Sequence, residues 1–322
     1  MTTKADPPPC RLHFLLAREA PVGVLLRRGP SRWVRLIKWN VAEDRFEAGQ
    51  WFKGRIYEKR CDLSPDGTKF IYFAQKINQR TLNDPEYSYA WTAISRPPYL
   101  TAVALWRKGD CWNGGGLFET NSRVWLNHLP GGSLHPDHRP ERLEVIDKIE
   151  GRGEDQTVLD KRLARDGWRL IQPWNGRFVE SAFALSQKRL MEKGLSFDEM
   201  LAESLRLKLY ELDTNSGYVT EAPEIREGPS VDGRLTLRMV MAVRGFRPIY
   251  AFSMRSPSGT TVPIEGAEWA DWDQRGRVVF ARRGKLFAVQ PDSTTAWEER
   301  ELADFNAHKR EPIEAPDWAR VW

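Results

Sequence analysis

The chain has 322 residues, 41% of them hydrophobic and 29% charged, with 14 Trp and 14 Phe. This composition excludes a disordered polar chain, and no stretch reaches the roughly 18 apolar residues of a membrane span. Net charge is +5 and uneven: residues 1–100 hold 17 basic and 10 acidic side chains, without the like-charge blocks of a nucleic-acid tail.

Residues 1–10 are Pro-rich and read as a flexible arm, leaving 11–322 as one domain. Short strands then follow in order. Residues 11–18, 22–28 and 33–39 are apolar runs parted by Pro21 and by Gly29-Pro30. Residues 69–74 and 99–106 continue the pattern, and so do 235–243, 249–254, 277–282 and 285–289. Short strands with short turns predict an all-β sandwich, barrel or propeller. One segment departs from this. Residues 178–204 carry helical spacing, with Gly194 ending one helix and Ser196 capping a second, so a helical hairpin is expected as an insertion. The chain ends in PIEAPDWARVW, and Trp318 and Trp322 are expected to pack.

Two segments are alike. Residues 61–73 read CDLSPDGTKFIYF and residues 269–281 read WADWDQRGRVVFA. Each is a strand, a polar turn ending in Gly67 or Gly276, and an apolar strand. Asp offers local hydrogen bonds there, and Gly accepts the positive φ of such turns. With residues 207–217 and 269–289, this pattern resembles the repeat of TolB-like and WD-repeat-like β-propellers. The resemblance implies a ring of four-stranded blades. Gly67 and Gly276 lie 209 residues apart, which without the helical insertion is about four intervals of roughly 45 residues. Five blades are therefore expected, with six as the alternative and a β-sandwich as the competing fold.

Three cysteines, Cys10, Cys61 and Cys111, form no CxxC pair. They argue against a disulfide scaffold and a structural zinc site. With no signal-peptide core at the N-terminus, a cytoplasmic protein is expected, without membrane attachment.

Chemical motifs are sparse. The chain has no GxSxG elbow, phosphate loop or HExxH pair. Gly151-Arg152-Gly153 begins like a dinucleotide fingerprint, but Gln156 stands where its third glycine belongs. Gly114-Gly115-Gly116 reads as a flexible turn. Glu154, Asp155 and Asp160 offer a general acid or base, or else surface salt pairs for Lys161, Arg162 and Arg165. The densest cluster is WLNHLPGGSLHPDHR at 125–139. There His128, His135 and His138 form the candidate ligand set for a divalent metal, in a loop made pliable by Gly131 and Gly132. No other cofactor is expected.

These observations favour a non-enzymatic propeller scaffold with another protein as partner. Two alternatives stay open. One is a small-molecule, glycan or metal-binding propeller, a hydrolase included. The other is nucleic-acid binding through the basic first third, where Arg27, Arg28, Arg32, Arg35 and Lys38 would share a face.

Overall fold

A computed structural model describes residues 8–29, 32–129, 133–150, 155–179, 192–194, 199, 217–245, 247–291 and 297–322. These residues are mostly β and form five sheets. Sheet one runs in order through β1 (Arg11–Leu16), β2 (Val22–Arg28), β3 (Trp33–Asn40) and β4 (Arg45–Lys53). Sheet two holds β5 (Arg55–Ile56), β6 (Asp62–Leu63), β7 (Phe70–Gln75), β8 (Ala90–Ser95) and β9 (Ala102–Arg107), with β12 (Ser133–Leu134) at its edge. Sheet three is β10 (Gly116–Thr120), β11 (Arg123–Leu126) and β13 (Glu144–Asp147), the last lying parallel to β11.

Sheet four gathers β14 (Arg169–Gln172), β15 (Asn175–Val179), β16 (Gly217–Ala222), β17 (Glu224–Pro229), β18 (Thr236–Gly245), β19 (Arg247–Arg255) and β20 (Thr261–Ile264). Sheet five is β21 (Trp269–Trp272), β22 (Val278–Arg282), β23 (Lys285–Val289) and β24 (Arg300–Asp304). Two α-helices are described in full, α1 (Gln79–Leu82) and α2 (Gln156–Arg165).

The chain divides into two compact units. One is Met1–Trp168 with Pro229–Arg234 and Gly266–Trp322; the other is Arg169–Gly228 with Leu235–Glu265. The second unit is an antiparallel sheet whose longest pairing joins β18 to β19 from Thr236↔Arg255 to Arg244↔Arg247. Its alternating burial on β18 leaves one face wet.

In the first unit the strands that read as continuous apolar runs are buried on both faces. On β2, Val24 and Leu26 join a core shared with Phe70 and Tyr72 of sheet two. Leu25 between them joins a second core, with Val279 and Leu286 of sheet five. On β7 the same alternation sends Ile71 to a third core, with Phe118 and Val124 of sheet three. Successive side chains point to opposite faces, so apolar residues at every position mean a neighbour on each side. β4 is the edge strand of sheet one; only Gly49 of it is buried, and it offers no continuous apolar run.

The two similar turns have the same build. Gly67 N–H donates to the Ser64 carbonyl at 2.9 Å, and Gly276 N–H to the Asp273 carbonyl at 2.9 Å. Both glycines have φ of +72°. A third copy, not expected from the sequence, lies between β17 and β18. There Ser230 Oγ donates to Asp232 Oδ1 at 2.6 Å, as Ser64 does to Asp66 at 2.6 Å. The Arg234 N–H donates to the same Asp232 oxygen at 3.1 Å, as Thr68 N–H does to Asp66 at 2.9 Å.

Several expectations are changed. Phe178 and Val179 end β15 and are not helical; most of the helical insertion at 178–204 lies outside the described residues. So does nearly all of the blade-like segment 207–217. Packing already begins at Cys10, which is buried with its N–H on Asn306 Oδ1 at 2.9 Å, while residues 1–7 are not described. At the other end Trp322 packs on the core between sheets two and three, but Trp318 is 55% exposed, with one edge on Tyr99. The glycine triplet is a packing device. A Cβ on Gly115 would lie 2.2 Å from the Arg60 carbonyl oxygen, and one on Gly114 would meet the Phe73 ring at 2.5 Å. No helix among the described residues is long and apolar enough to cross a membrane.

Candidate functional site

The structure sets His128 apart from the other two candidate histidines. His128 is buried on the strand pair that extends from β11, and its Nε2 meets Thr92 Oγ1 at 2.7 Å. That hydroxyl also accepts the Gly115 N–H at 2.8 Å, so one side chain ties His128 to the glycine turn. Burial, with Lys108 nearby, lowers the His128 pKa to about 4.

His135 and His138 do come together, with ring centroids 4.9 Å apart, and Tyr87 stacks on His135 at 4.6 Å. Glu86, His135 and Asp137 place one ligand atom each within 4.8 Å of the others. His135 is fully buried and its Nε2 has no hydrogen-bond partner; the nearest acid oxygen, Glu86 Oε1, is 3.6 Å away.

The donor set tests whether a metal fits. The Asp137 N–H donates to His135 Nδ1 at 3.2 Å. A neutral imidazole that accepts at Nδ1 carries its proton at Nε2, and so offers Glu86 a proton and no lone pair. Metal binding at Nε2 would set two N–H groups against each other at Nδ1. Zinc titration of metal-stripped protein at about 50 μM should therefore give no heat that His135→Ala with His138→Ala removes; a shared heat of binding would overturn the tautomer argument.

The polar stretch 151–168 is partly described. Residues 151–154, with the partial dinucleotide fingerprint and Glu154, lie outside the described residues. Next in the chain is α2, where Lys161 makes the expected surface pair, with Glu150 at 2.7 Å, but Arg162 and Arg165 turn inward. Arg165 grips Asp62 through both oxygens, at 2.5 and 2.9 Å, while Asp62 Oδ2 also accepts the Phe118 N–H at 2.8 Å. Arg162 is buried and donates to the Cys61 carbonyl. Asp155 accepts from the fully buried Arg60 at 2.5 Å. Asp271 lies close by, partly buried, and accepts its neighbour Trp272's N–H at 2.9 Å. Burial, reinforced by the charge of Asp166, pushes its pKa up to about 7. Asp160 accepts from Gln156 on the helix itself at 2.8 Å.

A groove on the first unit was not legible in the sequence. It is lined by Arg27, Trp33 and Trp51 from sheet one and by Arg283, His308 and Arg310 from the C-terminal part of the chain, and it encloses about 840 Å³. Arg27 and Arg35 stand 5.4 and 5.3 Å from the Trp51 ring centroid. Arg310 lies 4.7 Å from that of Trp33. A second hollow of about 490 Å³ shares Trp33, Trp51 and Arg310. His308 is held below its ordinary pKa, first by burial and then by Arg35 and Arg27. Of the five basic residues expected on one face, Arg27 and Arg35 are cross-strand neighbours, but both are buried.

Comparison with family models and with curated proteins finds no match.

Proposed function

We propose that the chain is a non-enzymatic, propeller-like scaffold of five blades that docks another protein on the loops at one end of sheets two and three. The propeller part rests on the turns that join β21 to β22, β1 to β2, β6 to β7 and β10 to β11. Gln274 donates to the Ala17 carbonyl, Glu19 N–H to the Pro65 carbonyl at 2.9 Å, and Asp66 N–H to Asn121 Oδ1 at 3.0 Å. The strands before these turns follow the same order, with β21 beside β1, β1 beside β6 and β6 beside β10. The Ser230–Arg234 turn belongs to the same unit. Radial repetition of this kind exposes loops at both ends of every sheet, and such loops are docking surfaces that need no catalytic motif.

The docking part rests on one observation: Trp112 and Leu129 are 69% and 67% exposed on adjoining loops. The Gly114 N–H bond to the Asn127 carbonyl at 2.9 Å carries the two side chains out on the ends of one hairpin. Gln75 donates to Cys111 Sγ at 2.6 Å and brings the end of β7 to the same place, where Ile77 and Leu82 are also exposed. Apolar side chains grouped at a rim mark a contact surface. Affinity capture from the source cell should yield a discrete partner that Trp112→Asp with Leu129→Asp loses while keeping its circular dichroism. A partner retained in full by that variant would remove the reading.

A further inference from the structure

We infer that the groove between sheet one and the C-terminal segment binds a nucleotide unit, a phosphate beside an aromatic base. This does not depend on the docking rim, which lies on other loops. The argument begins with charge. Arg283, Lys309 and Arg310 are exposed at the groove and have no acidic partner among the described residues. The nearby acids are engaged elsewhere: Glu311 with Arg35 at 2.5 Å, and Glu301 and Asp304 with Lys285 at 3.0 and 3.4 Å. Glu268 accepts the Arg283 backbone N–H. Three unneutralised cations around one hollow attract an anion, and Arg forks match phosphate oxygens in pairs.

The walls narrow the class further. Trp33 and Trp51 supply ring planes, and the exposed Arg310 supplies a guanidinium plane 4.7 Å from the Trp33 ring centroid. Bases stack on both kinds of surface. Acidic peptides and sulfated sugars would use the cations but leave the planes idle. A volume of about 840 Å³ admits a nucleotide. Much of the groove comes from residues more than 230 positions away from Trp33 in the sequence, so the fold assembles it.

Free nucleotides and single-stranded nucleic acid share this chemistry, and the test separates them. Fluorescence anisotropy would follow a fluorescein-labelled oligothymidylate of about fifteen residues and an N-methylanthraniloyl-ATP probe against the full chain. At least one probe should bind more tightly than roughly 100 μM, the weak end of non-specific nucleic-acid binding, with affinity falling as salt rises. The oligonucleotide binding more tightly assigns a strand; ATP alone binding assigns a free nucleotide. Arg283→Glu with Lys309→Glu should weaken binding at least about 10-fold, and Trp33→Ala by about 10-fold, each with an unchanged melting curve. Failure of both probes would overturn the inference. So would a Trp33→Ala protein that binds as well as the original, because that pattern is attraction of any polyanion. Heparin competing on equal terms with the oligonucleotide would overturn it for the same reason.

Discussion

Replacing Arg277 with methionine is expected to cost about 3–5 kcal/mol of folding stability, read from urea unfolding. Its guanidinium bridges two carboxylates that come from opposite ends of the chain. Nε donates to Asp273 Oδ2 at 2.8 Å, and the two terminal nitrogens grip Asp44 at 2.8 and 2.7 Å. Asp273 and Arg277 are buried, and Asp44 is nearly so at its side chain. Methionine would fill the space but leave two acids facing each other without their shared cation. The remaining partners are weaker: Arg275 reaches Asp44 at 3.2 Å and Arg300 at 3.7 Å, both from exposed positions.

The pH dependence has a definite sign. Burial alone would raise the Asp44 pKa, but the bond and charge of Arg277 win and hold it below its ordinary value. A depressed carboxylate adds stability that is present above its unfolded pKa and lost as pH falls through the folded one. The deficit of Arg277→Met should therefore be largest near neutral pH and shrink on acidification below about pH 4. Asp44→Asn added to Arg277→Met should recover part of the loss, because one buried charge is removed with its partner. A single variant within 1 kcal/mol of the original, on the order of a surface substitution, would show that the bridge does not hold the sheets.

Asp271→Asn is expected to stabilise the protein at pH 8 by about 2–4 kcal/mol and to leave it unchanged near pH 4. Its pKa is about 7 against an ordinary 3.8, chiefly through burial. A raised carboxyl binds a proton more tightly in the folded chain than in the unfolded one. Stability from this group therefore falls as pH rises from about 4 to about 7, and stays low above that. Full desolvation would make ionisation cost about 4 kcal/mol; the partial exposure of Asp271 sets the lower end of the range. Asparagine keeps the oxygen that accepts the Trp272 N–H and removes the charge. Unfolding midpoints measured across pH 4–8 that run parallel for both proteins would exclude the buried charge.

The inner strands were legible because their physics is local. Nine apolar runs correspond to described strands, and the segment 285–289 matches β23 to the residue. Continuous apolar runs arise wherever a strand is covered on both faces, and that information sits in adjacent residues. The Asp-Gly turns were legible for the same reason, since their hydrogen bonds close within five residues. The Ser230–Gly233 turn escaped because the strand before it, EIREGP, alternates and gives no apolar run to anchor the pattern.

Helix α2 was missed in a stretch whose charges read as surface. Arg162 is buried on the Cys61 carbonyl, and the partly buried Arg165 finds Asp62, 103 residues earlier. The histidines show the other limit of sequence reading. Three imidazoles within eleven residues suggested a shared metal, yet Thr92 takes His128 while Glu86 and Tyr87 meet His135.

The sequence by itself determined the strands, their turns and the β class, because each depends on side-chain alternation and bonds over a few residues. The tertiary structure alone decided which charges are paired, which histidines meet and where a groove opens. Asp44 finds Arg277 and Trp33 finds Arg310 only after the chain has returned across more than 230 residues, and no local period encodes that return.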